Sequence, residues 1–259
     1  MAFLYETHLH TSQGSACGKT AGRDYIKYYR DIGYTGIFVT DHFWGGNTAI
    51  DRNLPWREWV NRFCMGYEDA CEEGLKQGLD VFFAWEDAKH GEYLIYGLDK
   101  QWLLEHPAIA TCGVAEQYRM VHADGGCVIQ AHPFRQRSYI KRVVLALDYC
   151  DGIETANLGN HVEDDIRAHH YAEEYNLLVT AGSDRHRIPD AGEDVSSYGV
   201  VLESKLTSAR DFANRILRRE KMLLHIPENR FEARENYAPL ESYWMGENDT
   251  FTPTGRDWL

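Results

Sequence analysis

Five stretches of this 259-residue chain end in side chains that can hold a divalent cation. The first, "FLYETHLH", sets His8 and His10 two positions apart, and on an extended segment such positions project from one side. "TGIFVTDH" ends in Asp41 and His42, and "LDVFFAWED" carries Glu86 near its end. "CVIQAHP" brings His132, and "LLVTAGSDRH" brings Asp184 and His186. Imidazole nitrogens and carboxylate oxygens of this kind suit Zn, Mn or Fe. One pair of histidines is an ordinary polar pair. Five such endings in one chain predict a common metal site.

For these residues to meet, the elements that carry them must end on one face. Between the strand-like runs lie stretches with apolar residues at helical spacing: 24–34, which Gly33 can end, 56–78, ending at Gly78, 115–126, 163–176 and 208–220. The run at 91–99 reads as a hairpin partner of the strand at 79–87, and further strands are predicted at 151–157 and 196–204. Strands joined by helices run in the same direction. The alternation therefore predicts an α/β fold with a mainly parallel sheet, whose strand C-termini gather at one rim.

In this order and at these separations, "THLHT", "VTDH", "AWE", "QAHP" and "GSDRH" resemble the motifs of the PHP (polymerase and histidinol phosphatase) superfamily, over about residues 3–187. The resemblance implies a distorted (β/α)7 TIM-like barrel with two or three divalent metal ions at the C-terminal ends of the strands. It is to a free-standing phosphoesterase, in which metal-bound hydroxide attacks phosphorus. By the family pattern His8, His10, Glu86 and Asp184 form one metal position. Glu86 bridges to a second that includes His132, and His42 and His186 serve a third. The chain departs from that pattern in two places. Glu6 stands where many relatives carry Asp, so it is expected as a partner of a ligating histidine or as a bystander. Many relatives also carry a further His or Asp ligand after the first motif. Here that stretch reads "TSQGSACGKT", with Cys17 as the candidate extra metal ligand against the alternative of a small loop residue.

Other residues border these motifs. Asp41 can carry a proton or orient His42, or it can simply cap the next helix. Arg135 and Arg185 lie next to ligands, where a guanidinium would bind phosphate oxygens bidentately. Strand alternation offers Arg185 the opposite face instead. Glu154 is read as orienting Arg135 or a ligand histidine, or as a structural carboxylate. The glycine-containing loop 43–55 is expected to form a pocket wall.

The formal net charge of -13 disfavours a large nucleic-acid surface, while a nucleotide as substrate stays open. No run of 18 apolar residues predicts a membrane span, and the N-terminus lacks the pattern of a signal peptide. Six scattered cysteines without a CxxC pair read as reduced core residues, and a cytoplasmic location follows by default. One barrel domain is expected over 1–259, with 205–259 as a C-terminal helix and tail packed on it. The expected function is hydrolysis of a small phosphorylated substrate. The alternatives are hydrolysis of an amide or carboxylic ester at the same metals, or a catalytically idle metal-binding interaction module. The sequence does not choose an oligomeric state.

Overall fold

The computed structural model describes residues 2–190, 193, 197–232 and 237–258. Its centre is a sheet that curls into a nearly closed, distorted TIM-like barrel flanked by helices. Strand β1 (Phe3–Glu6) lies parallel to β2 (Gly36–Val39), and β2 parallel to β3 (Asp80–Ala88). The pattern then departs from the parallel expectation. Strand β4 (Glu92–Tyr96) runs antiparallel to both β3 and β5 (Cys127–Ala131). A hairpin of only a few residues leaves the chain no room for a crossover helix, so the strand must reverse. The short β6 (Val143–Leu145) leaves the barrel, and β7 (Gly152–Asn157) and β8 (Leu178–Gly182) restore parallel pairing.

Closure happens at the rim. Beyond the strand ends Leu9 bridges to Arg185, with His10 N–H donating to the Arg185 carbonyl at 2.9 Å and Asp184 N–H to the His8 carbonyl at 2.8 Å. Along its lower half β1 instead pairs with the antiparallel β9 (Gly199–Leu202), which in turn pairs with β10 (Leu223–His225). Of the strand expected over 196–204, Ser196 lies outside the described residues.

The helices cover the sheet's apolar face. Helix α1 (Gly22–Asp31) buries Tyr25, Ile26 and Tyr29 and stops before Gly33, whose φ of 91° is open to glycine. The single helix expected over 56–78 is two, α2 (Trp56–Phe63) and α3 (Met65–Gln77), broken at Cys64. Close packing at the start of α3 goes with this break. A Cβ on Gly66 would sit 2.0 Å from Thr11 Oγ1, and one on Gly22 would sit 2.1 Å from the Gly66 carbonyl. Helix α3 ends at Gly78 in the left-handed conformation, as the sequence predicts. Helices α4 (Lys100–Glu105), α5 (Val114–Ala123), α6 (Val162–Tyr175) and α7 (Ala209–Leu217) complete the shell. All six cysteines are free thiols.

The tail holds a hairpin that the sequence pattern does not reveal. Strands β11 (Ser242–Gly246) and β12 (Thr250–Pro253) pair with each other, and β11 lies parallel to β6. Residues 233–236 of the tail lie outside the described residues. Among the described residues no helix is long and apolar enough to cross a membrane.

Candidate metal centre

The strand ends bring His8, His10, His42, Glu86, His132, Asp184 and His186 to one buried rim. Their donor atoms fall into overlapping groups whose members lie within 4.8 Å of one another: His8–His10–Glu86, His8–His132–Asp184, Glu86–Glu92–His132 and His10–His42–His186. The seven expected ligands therefore meet. An eighth residue, Glu92, joins them unforeseen. It opens β4, and because β4 is antiparallel its first residue reaches the rim where its neighbours' last residues end. A search confined to the C-terminal ends of strands passes over it. The usable signal was the hairpin itself, since a carboxylate at the start of its return strand faces the end of the outgoing one.

Hydrogen bonds on the outer side of the rings fix which nitrogen faces inward. His8 Nδ1 donates to Glu154 Oε1 at 3.0 Å, so Nε2 faces inward. His186 Nδ1 donates to the Asp184 carbonyl at 2.8 Å. His10 Nδ1 lies 3.2 Å from Ser15 Oγ, which itself donates to Asp41 Oδ1 at 2.7 Å. His8 Nε2 and His10 Nε2 face each other at 3.1 Å, a separation that a shared proton or a cation must bridge. Likewise His42 Nδ1 lies 2.7 Å from Glu86 Oε2, yet both atoms are buried without a hydrogen bond. Lone pairs aimed at a common point repel unless a cation lies among them. The residues present thus fit a bound divalent metal.

The electrostatics divide the imidazoles: burial lowers His8 and His42, but Glu154, Asp184 and Glu86 around His8, and Glu86 and Cys17 around His42, raise both well above an ordinary imidazole. Burial raises Glu92, and the nearby charge of Glu86 raises it further. Burial also pushes Glu86 and Asp184 up, but His8 and His42 around Glu86, and Arg135 and His8 around Asp184, hold both well below the usual carboxylate range. Burial and then the neighbouring His42 and His186 hold His10 well below an ordinary imidazole, so it is neutral, as a ligand must be. Cys17 borders the imidazole side but joins none of those donor groups. Burial raises its thiol, but hydrogen bonds with His186 and His42 bring it down to about 6. It therefore stands where a soft ligand could join His42 and His186.

Two of the candidate ligands sit on strained backbone. His132 and Asp184 have φ of 28° and 52°, in the left-handed region that side chains other than glycine avoid. Each follows the last residues of its strand, where the chain must turn sharply to aim the side chain at the rim. Pro133 directly after His132 restricts that turn. Gly182, two residues before Asp184, has no room for a side chain. A Cβ there would lie 2.5 Å from His8 Cβ and 2.7 Å from Glu154 Oε1.

The bordering residues divide by what they touch. Asp41 accepts from Thr11 N–H and Thr11 Oγ1, both at 2.6 Å, and from Ser15, and burial raises it to about 6. It shapes the turn that holds Ser15 against His10 and against the His42 N–H, and it does not point into the cluster. Glu154 orients a ligand histidine and not Arg135. Arg135 pairs with Asp184 Oδ2 at 2.7 Å and donates to Asn160 and Asn157 at 2.7 and 2.8 Å, so it anchors a ligand first. Arg185 does not reach the cluster. It shares a face with its bridge partner Leu9, which packs on α1, and its guanidinium lies 5.6 Å over the Tyr28 ring. Glu6 partners no histidine ring. Buried, it accepts from the backbone N–H groups of His8 and Ser183, both at 2.9 Å, and ties β1 to the turn after β8.

A cavity of about 430 Å³ opens beside Glu92, His132 and Arg135. The loop 43–55 does not line it: Trp44, Ile50 and Leu54 pack into the core around Trp59. The wall is the segment 139–144 together with Phe251 of the tail.

No protein-family model matches the sequence, and no curated protein does. Solved structures resemble the fold. A Bifidobacterium adolescentis protein inferred to be a metal-dependent phosphoesterase matches with a TM-score of 0.53 and 17% identity, over 83% of this chain and 96% of that one. A two-domain Bacteroides vulgatus protein containing an inferred PHP-like metal-dependent phosphoesterase matches with a TM-score of 0.64 and 14% identity, over 87% of this chain and 65% of that one. An amidohydrolase from Chromobacterium violaceum, with sulfate bound, matches with a TM-score of 0.52 and 16% identity, over 86% and 98%. The chain thus has the fold of PHP-like phosphoesterases.

Proposed function

We propose that this chain is a PHP-type metallohydrolase that cleaves phosphoesters. The observation that carries the reading is the pair of inward nitrogens on His8 and His10, 3.1 Å apart, with the outer nitrogen of each ring already engaged. His8, His10, Glu86 and Asp184 would hold one cation. Glu86, Glu92 and His132 would hold a second, and His42 and His186, with His10 and Cys17, a third. Bound cations would activate water and draw charge from the phosphoryl oxygens. The chain's own residues do the rest. Glu154 fixes the His8 ring, Ser15 fixes His10, and Arg135 holds Asp184 in place. Three carboxylates at the rim, Glu86, Glu92 and Asp184, leave a net positive charge against two or three divalent cations. A phosphate dianion would complete it, and the neighbouring cavity has room for the rest of a small ester.

The test is a phosphatase screen on metal-stripped protein reloaded separately with Zn, Mn and Fe. Turnover of at least one phosphoester only after reloading is expected. A protein that binds its metals, hydrolyses no phosphoester and cleaves an amide or carboxylic ester would instead be an amidohydrolase on the same rim.

A further inference from the structure

The cavity beside Glu92 and His132 has a second polar end. The segment that walls it reads "RQRSYIKR" over 135–142, a dense basic run in a chain of net charge -13. Within it Arg142 is held in an unusual way. Its guanidinium carbon lies 4.7 Å from the Tyr243 ring centroid and 5.0 Å from that of Phe251. Both rings belong to the tail hairpin, Tyr243 on β11 and Phe251 on β12, and β11 pairs in parallel with β6, which begins directly after Arg142. A guanidinium packed against two aromatic rings keeps its N–H edge free and loses little freedom when an anion arrives. Among the described residues no carboxylate forms an ion pair with Arg142 or with Lys141, and both side chains are exposed. Glu241 lines the neighbouring groove, whose wall Lys141 and Arg142 share, without an ion pair to either, and Glu92 lines the inner end of the cavity beside His132.

We propose that Arg142, with Lys141 beside it, is a second anion site, and that the substrate is a phosphoester bearing a second oxyanion on the group that leaves or remains. This rests on the phosphoesterase reading. The scissile phosphate occupies the rim, the connecting part lies along Ile140 and Val143, and the distal phosphate or carboxylate meets Arg142 at the mouth. The C-terminal hairpin thereby contributes to specificity: it supplies the two rings that hold the arginine in place.

Alkane-α,ω-diol bisphosphates of graded length serve as molecular rulers, compared with the matching monophosphates and ω-phosphooxy carboxylates on metal-loaded protein. One chain length should give a kcat/KM roughly tenfold or more above its monophosphate, the worth of a charge-assisted hydrogen-bond pair. Arg142→Gln should bring that ratio close to one through KM, and Arg142→Lys should retain part of it. The carboxylate series decides which oxyanion is preferred. In parallel, binding of non-hydrolysable alkane bisphosphonates is measured by calorimetry on wild type and Arg142→Gln, with melting curves confirming that both are folded. Equal kcat/KM for bisphosphates and monophosphates at every length, in an enzyme that turns them over, overturns the proposal alone. Arg142-dependent bisphosphonate binding without any turnover keeps the anion site and sinks the phosphoesterase reading.

Discussion

The two sides of the rim are built from different donors. Toward β3, β4 and β5 the groups are oxygen-rich: Glu86, Glu92 and His132, with Asp184 anchored by Arg135 close by, and this side opens on the cavity. Toward the turn after β1 the groups are imidazoles with a thiol, His10, His42 and His186 beside Cys17, packed against the Thr11–Ser15 turn that Asp41 holds. Carboxylate oxygens suit harder cations and can bridge two of them, whereas imidazole and thiolate suit softer ones. On the function proposed above, the first side meets substrate and the second tunes the cluster. It follows that damage to the first should cost turnover, and damage to the second should change which metal is held and how tightly.

The largest effect should come from the residue shared by both sides. Glu86→Gln removes a charge that touches His8, His42 and His132, and should cost hydrolysis on the order of 10³-fold together with at least one metal equivalent. Steady-state kinetics with elemental analysis reads both. Next is Glu154→Gln, which keeps the shape but weakens the grip on His8 Nδ1. A loss of about 10–100-fold in metal affinity or turnover is expected, read by competition with a fluorescent chelator. Gly182→Ala should force His8 and Glu154 apart and cost roughly 1–3 kcal/mol of stability, measured as a lower urea midpoint. Cys17→Ser bears on the softer side alone. It should abolish the near-ultraviolet sulfur-to-cobalt band of Co(II)-loaded protein and shift preference away from Zn, with turnover reduced only a few-fold, about 1 kcal/mol. The smallest effect belongs to Arg185→Ala, within about twofold in kcat/KM, because its guanidinium lies over Tyr28 and away from the cluster. A large loss there would erase the distinction between the faces of the closing bridge.

Much of this rim could be read from residue order. His8, His10, His42, Glu86, His132, Asp184 and His186 each stand at the exit of a hydrophobic run, and parallel strands leave such exits nowhere to go but a shared end. Glu92 escaped that logic because it enters an antiparallel strand, so it reaches the same rim from the opposite end of its run. Arg185 shows the reverse error: adjacency to Asp184 and His186 in sequence places it on the other face once the strand alternates. The division of 56–78 into two helices goes with a close approach between Gly66 and Thr11, two segments with no local sign of each other. The tail hairpin was hidden for a related reason. Its strands are short and mixed in character, and their pairing with β6 is a long-range contact that no periodicity reports.

Equilibrium metal loading tests the central claim most directly. Chelator-stripped protein is dialysed against Zn or Mn, and the bound metal is counted per chain, in wild type and in a His8→Ala, Glu86→Gln double variant. Two or three tightly held ions in the wild type, falling to one or none in the variant while its circular dichroism stays native, is the predicted result. A wild-type chain that takes up no more metal than the variant would contradict it.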